Sequence, residues 1–178
     1  PIDSANAYQA FVNLSNQGNA QGFYGLGQCY QRGLGVVASD SMACVYYQQA
    51  LTAGYAEAGD MLKRIQNNAE IKQNLMLANA CLERESYAEA IPYYNRAIEL
   101  GSDSCSYELG ICYLKNNDVK ALKQLKKAAE QGNKEAMYQL GEMYQYAKLV
   151  NADESSAIAW YQQAAGLGHS AAKKEASK

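Results

Sequence analysis

At 178 residues, the chain suits one domain able to remove roughly 70% of its unfolded surface from water, so folding needs no metal or disulfide staple. Sixteen basic against eighteen acidic side chains give a net charge of −2, which excludes the basic footprint of a nucleic-acid binder. No run of eighteen apolar residues occurs, which excludes a membrane-spanning helix, and only two prolines interrupt a chain rich in Ala, Gln, Leu and Tyr.

The predicted elements are helices throughout. The sequence opens at Pro1 without methionine and reads as a processed or trimmed chain. Any export signal would lie upstream, so an exported and a cytoplasmic protein both fit. A first helix is expected over about 5–17, within an N-terminal segment 1–17. It carries the glycosylation sequon Asn13-Leu14-Ser15, which falls within the predicted helix and matters only in a protein secreted from a eukaryote. Residues 18–54 form a first unit with helices near 20–33 and 40–53. Residues 55–70 read as an irregular insertion, helical from Tyr55 to Gln66, broken at Asn67-Asn68 and restarting near Glu70. A second unit, 71–101, has helices near 70–84 and 87–100. A third, 102–132, has them near 103–116 and 118–131. The fourth, 133–168, has them near 134–147 and 154–167. A last helix near 169–177, in the segment 169–178, is expected to cap the array with Lys173-Lys174-Glu175 facing water. That makes eleven helices.

The units are set by register. Eight residues beyond Gly18, Gly101 and Gly132 stand Leu26, Leu109 and Leu140, followed at once by Gly27, Gly110 and Gly141. Tyr30, Tyr113 and Tyr144 come four after each leucine, so leucine and tyrosine share a helix face. A second signature reads Ala43-x-x-Tyr46-Tyr47-Gln48-Gln49-Ala50, then Ala90-x-x-Tyr93-Tyr94-Asn95-Arg96-Ala97, then Ala157-x-x-Trp160-Tyr161-Gln162-Gln163-Ala164. Each copy ends four residues later in glycine, at Gly54, Gly101 and Gly168, the residue that closes a helix in the left-handed conformation. Each unit is therefore two antiparallel helices, with the small residues letting backbones approach and the tyrosines filling the sides. Asp40, Asp103 and Asp153 are expected N-caps.

These residues resemble Sel1-like repeats, relatives of the tetratricopeptide repeat with a longer loop between the two helices. The Leu-Gly-x-x-Tyr helix, the loop Gly33-Leu34-Gly35-Val36-Val37, Asp40 and the Ala-x-x-Tyr-Tyr-Gln-Gln-Ala signature carry the likeness. The middle unit is closer to a plain tetratricopeptide repeat, with Leu77-Ala78, Ala90, Tyr94 and Ala97 at its packing positions and Cys81 where tyrosine is expected. The third unit shortens its loop to Asn116-Asn117-Asp118. The resemblance implies an all-α superhelical solenoid whose first helices line a concave face that grips partner segments.

Counting from the repeat leucine, the positions that would face such a groove are Tyr24, Tyr107 and Tyr138. Further along the same helices come Gln28, Ile111 and Glu142, with Asn79 in the middle unit. Beyond those come Gln31-Arg32, Leu114-Lys115 and Gln145-Tyr146, with Leu82-Glu83 in the middle unit. Tyrosine and arginine suit recognition because they bury area while keeping a polar handle, although the tyrosines can equally pack between helices.

Chemistry of other kinds finds little support. His169, the single histidine, follows a helix-ending glycine, where it would cap or be solvated, and no orienting partner for a nucleophile is assignable. Gly22-Phe23-Tyr24-Gly25-Leu26-Gly27 lies inside a helix, outside the strand-to-helix setting of a phosphate loop. The five cysteines, Cys29, Cys44, Cys81, Cys105 and Cys112, are odd in number and lack a CxxC pair, so they read as reduced core thiols rather than metal ligands. Lys120, Lys123, Lys126 and Lys127 read as a solvated outer face balanced by Glu130 and Glu135. The expectation is a non-enzymatic interaction module, without metal or cofactor, that binds another protein and is bacterial in character. Family likeness also admits an immunity protein neutralising a secreted toxin or effector. A β-lactam-binding enzyme is the remaining alternative, and these cysteines lack the regular pairing of such relatives.

Overall fold

The structure is a computed structural model that describes residues 4–177. Residues 1–3 and 178, the outer ends of the expected terminal segments, lie outside the described residues. Those described form ten α-helices and no strand. They run α1 (Ser4–Asn16), α2 (Ala20–Arg32), α3 (Asp40–Thr52), α4 (Glu57–Glu83) and α5 (Tyr87–Glu99). The series continues with α6 (Ser106–Lys115), α7 (Lys120–Glu130), α8 (Lys134–Gln145), α9 (Glu154–Gly166) and α10 (Ser170–Glu175). Contacts divide the described chain into two compact units, with the boundary between Ala69 and Glu70.

In the first unit α2 packs against both α1 and α3. Its apolar centre is Ala43, Tyr47, Ala50, Ala58 and Ile65, with Tyr24, Tyr30 and Tyr55 packed around it. In the second unit α5 to α10 pack in sequence, each on the next. One cluster there gathers Ala78, Cys81, Ala90, Tyr94, Leu109 and Cys112, and another gathers Leu125, Leu140, Met143, Tyr161 and Ala164. Nearest-neighbour burial of this kind is what a repeat array requires.

The glycines without side chains are the point of closest approach within a unit. A Cβ on Gly27 would lie 2.6 Å from the Tyr47 ring, and one on Gly141 2.5 Å from the Tyr161 ring. Gly110 is enclosed by Leu125 in the same way, 2.9 Å from its Cγ. The phosphate-loop look of 22–27 has the same explanation, since Gly22 abuts the backbone of Leu14 and Ser15 and Gly25 abuts the Phe11 ring. The glycines that end the second helices, Gly54, Gly101 and Gly168, have φ of 96°, 102° and 86°, where any side chain would be strained.

Several expectations are corrected. The insertion at 55–70 is not interrupted: α4 runs unbroken through Asn67 and Asn68 for 27 residues, so the described residues form ten helices rather than eleven. No proline or glycine stands between Asp60 and Glu83, and two asparagines cost a helix only about 0.7 kcal/mol each relative to alanine. Asp40 is the first residue of α3, whose cap is Ser39, accepting from the Met42 amide at 3.2 Å. Asp103 does not cap α6, which begins after Cys105 without a side-chain cap. It accepts instead from Lys127 Nζ at 2.8 Å. Asp153 does cap α9, through the Ser156 amide at 3.2 Å, and His169 caps α10 with Nδ1 accepting from the Ala172 amide at 3.2 Å.

Candidate functional site

Within a repeat the buried tyrosine of the second helix is pinned to the first. Tyr47 donates its hydroxyl to Gln31 Oε1 at 2.8 Å, and Tyr161 to Gln145 Oε1 at 2.6 Å. Tyr94 donates to Asn79 Oδ1 at 2.7 Å. These bonds satisfy hydroxyls that would otherwise be costly to bury. The third repeat departs from the scheme: Leu125 fills the tyrosine position and Leu114 the amide position. Ile111 likewise stands where the first and fourth repeats carry Gln28 and Glu142. Its first helix, α6, therefore presents Tyr107, Ile111 and Leu114 at i, i+4 and i+7, an apolar stripe on one face.

That stripe floors a cleft of about 660 Å³ in the second unit. Lys115 and Asn117 close it at the end of α6, Gln139 and Glu142 of α8 form the facing wall, and Ala147, Lys148 and Leu149 complete it. Its existence follows from a step in loop length. The third repeat turns between its helices over 116–119, whereas the fourth uses the longer stretch 146–153, which stands proud and walls the space.

The walls are backbone-strained. Asn117, Ala147 and Leu149 have φ of 55°, 52° and 61°, in the left-handed region that costs most residues about 1 kcal/mol or more. In the first repeat the positions of Ala147 and Leu149 are Gly33 and Gly35, with φ of 69° and 73°, so both loops follow one path. What holds Leu149 there is its half-buried side chain, which packs on both apolar clusters of the second unit.

The cleft gathers Tyr107, Ile111, Leu114, Lys115 and Glu142 from the positions the sequence nominates. Burial, then the nearby Glu135 carboxylate, raises the Tyr107 hydroxyl above its ordinary range, so it stays a neutral donor. Lys115 Nζ lies 5.9 Å from the Tyr87 ring centroid, and Lys148 Nζ 5.4 Å from that of Tyr146. Tyr146 is exposed. Other nominated residues do not enter the cleft. Tyr138 stacks on His169 at 4.5 Å and leans on Tyr161. Tyr24 lies between Tyr47 and Tyr55, at 5.4 Å and 4.6 Å. Asn79 is occupied by Tyr94, while half-buried Gln28 and exposed Arg32 belong to the first unit.

Lining residues outside the nominated set are Asn117, Gln139, Ala147, Lys148 and Leu149. The signal that could have found them is the short turn of one repeat facing the long loop of the next. Among the described residues no cluster of three or more His, Cys, Asp or Glu could hold a metal ion. All five cysteines are unpaired, with Cys44 half-buried and the other four buried. On α7, Lys127 pairs with Asp103 and Lys120 lies 5.6 Å from the Tyr113 ring centroid, so that strip is partly engaged. No described helix is long and apolar enough to cross a membrane.

Comparison with known proteins identifies the repeat. The family model "Sel1 repeat" matches four times, at residues 20–55, 71–102, 104–133 and 134–169. A Sel1 repeat protein from Oxalobacter formigenes is similar in structure over 99% of this chain and 88% of its own, with TM-score 0.53 and 23% identity. The protective antigen c5321 of uropathogenic Escherichia coli, described as having an SLR fold, is similar over 98% of this chain but 44% of its own. Its TM-score is 0.46 at 23% identity. The immunity protein Pa5087 of Pseudomonas aeruginosa aligns over 96% of this chain and 61% of its own, with TM-score 0.37 and 20% identity. Among curated proteins none matches.

Proposed function

The chain belongs to the Sel1-repeat family, whose all-α fold generally serves as a protein-interaction module rather than an enzyme, and from that premise we propose that it binds a partner protein through the cleft between α6 and α8. The observation that carries this reading is the cleft itself. Residues from two repeats and one strained loop converge on a preformed space of about 660 Å³. A preformed receptor surface loses little entropy on binding, so more of the contact energy appears as affinity. The mixture of Tyr107, Ile111 and Leu114 with Lys115, Gln139 and Glu142 matches the apolar centre and polar rim of a protein interface.

The test is affinity capture with the full chain against extracts of its source organism, comparing three forms. A specific partner is recovered by the wild type and by Lys123→Ala/Lys126→Ala on α7, and is lost with Ile111→Asp. Loss of an anchor contact weakens binding by roughly 2–4 kcal/mol, whereas exposed Lys123 and half-buried Lys126, neither of them in an ion pair among the described residues, contribute about 1 kcal/mol or less. A partner lost with the lysine pair and retained by Ile111→Asp would put the interaction on α7 and overturn the reading.

A further inference from the structure

The departures of the third repeat on its first helix and in its turn fall on this one cleft. Polar positions on the first helix become Ile111 and Leu114, and the turn after them is short enough to leave the stripe uncovered. Leu149, at φ 61°, adds a further apolar side from across the gap. Water gains nothing from such a floor, and covering it is worth about 25 cal/mol per Å².

The rim has a sign. Lys115 and Lys148 are exposed, and among the described residues neither is in an ion pair. Each ammonium rests near a tyrosine ring instead, which holds it at the mouth while leaving its charge without a counter-ion. The facing carboxylate, Glu142, already acts on the Tyr138 hydroxyl, which burial and then Glu142 push upward. The walls also offer the amides of Asn117 and Gln139, whose donor and acceptor match an extended backbone. A helix has most of its backbone groups satisfied internally and gains less from them.

Building on the protein-binding reading above, we propose that the occupant is an extended, acidic segment of the partner that seats one bulky apolar side chain among Ile111, Leu114 and Leu149. Carboxylates on either side of that anchor lie beside Lys115 and Lys148. The apolar contact supplies affinity, and the paired charges supply register and discrimination against basic segments.

The experiment is selection of a random dodecapeptide library on the full chain. Enriched peptides are then synthesised with a fluorophore and measured by anisotropy. Expected sequences carry Leu, Ile, Phe or Trp within a few residues of Asp or Glu and are net negative. Their affinity falls at least tenfold with Ile111→Asp, and by about tenfold with Lys115→Glu/Lys148→Glu, the modest size expected of exposed charges. The lysine pair is exposed, so that variant keeps the wild-type melting midpoint and decides the matter if Ile111→Asp melts early. Peptides that need Ile111 but are neutral or basic, or that ignore the charge reversal, overturn the acidic occupant and leave the protein-binding cleft standing. Peptides insensitive to both variants, or no enrichment at all, overturn the two together.

Discussion

Tyr47, Tyr94 and Tyr161 show how one residue can serve two purposes in a stacked helix pair. The rings of Tyr47 and Tyr161 fill the space left by Gly27 and Gly141, Tyr94 shares a cluster with Ala78, and each of the three hydroxyls reaches an amide oxygen. The ring and the hydroxyl are separable. Tyr47→Phe keeps the packing and leaves half-buried Gln31 without its donor, so stability falls by about 0.5–1.5 kcal/mol. Adding Gln31→Leu recovers part of that loss, because the pair then resembles the apolar Leu114 and Leu125 of the third repeat. Urea unfolding of the two single variants and the double variant gives the coupling. Strictly additive losses would mean that no such bond is formed. Burial pushes the Tyr47 hydroxyl up to about 12, in keeping with a group held neutral in the core.

At the scale of the element, α4 is the instructive case. Its first part sends Ala58 and Ile65 into the first unit's cluster, and its last part sends Ala78 and Cys81 into a cluster of the second. Between them the exposed Asn68 belongs to neither core. The helix persists there because intrahelical hydrogen bonds continue and nothing in the sequence breaks them. Asn74 even turns its side-chain amide back to the Glu70 carbonyl at 2.9 Å, a local bond that competes for the backbone without interrupting it. Asn68→Pro therefore costs about 3 kcal/mol or more, and Asn68→Ala stabilises by up to about 0.7 kcal/mol. Thermal melts followed by circular dichroism check both. A proline tolerated without change would mean that the chain breaks at 67–68 after all.

For the whole molecule, the thiols report on how completely the helices are packed. Cys29, Cys81, Cys105 and Cys112 are buried and Cys44 half-buried. Burial raises Cys29, Cys44 and Cys105, and takes Cys112 up to about 11. The reactive species is the thiolate, so alkylation near neutral pH should be slow in the native state. Mass spectrometry after iodoacetamide treatment is expected to show Cys44 modified first and the other four only after denaturation, five adducts in all. A mass two units low for any pair, in protein kept free of oxidant, would show a disulfide and refute free thiols. The strained loop of Ala147 and Leu149 belongs at this scale too, since Leu149 packs on two clusters while the Lys148 and Asp153 amides bond back to the Met143 and Tyr144 carbonyls.

The helical architecture and the repeat register were legible in the sequence because they rest on short-range periodicity. Leu26, Gly27 and Tyr30 recur at fixed spacing, and any chain carrying that stripe buries it as a helix pair. Glycine at the end of each second helix was equally readable, since the left-handed conformation is a local demand. Local signals were weaker guides to caps and breaks. Ser39 lies next to Asp40 and either could cap, while Asp103 was drawn to Lys127 by a contact 24 residues away. The cleft needed the tertiary structure. Tyr24, Tyr107 and Tyr138 are equivalent in sequence, yet Tyr55 flanks the first, His169 covers the third, and Tyr107 remains to line a cavity. Which of three identical positions becomes a surface depends on what the following repeat and its loop place against it. That is a long-range packing outcome, and residue spacing within one repeat carries no record of it.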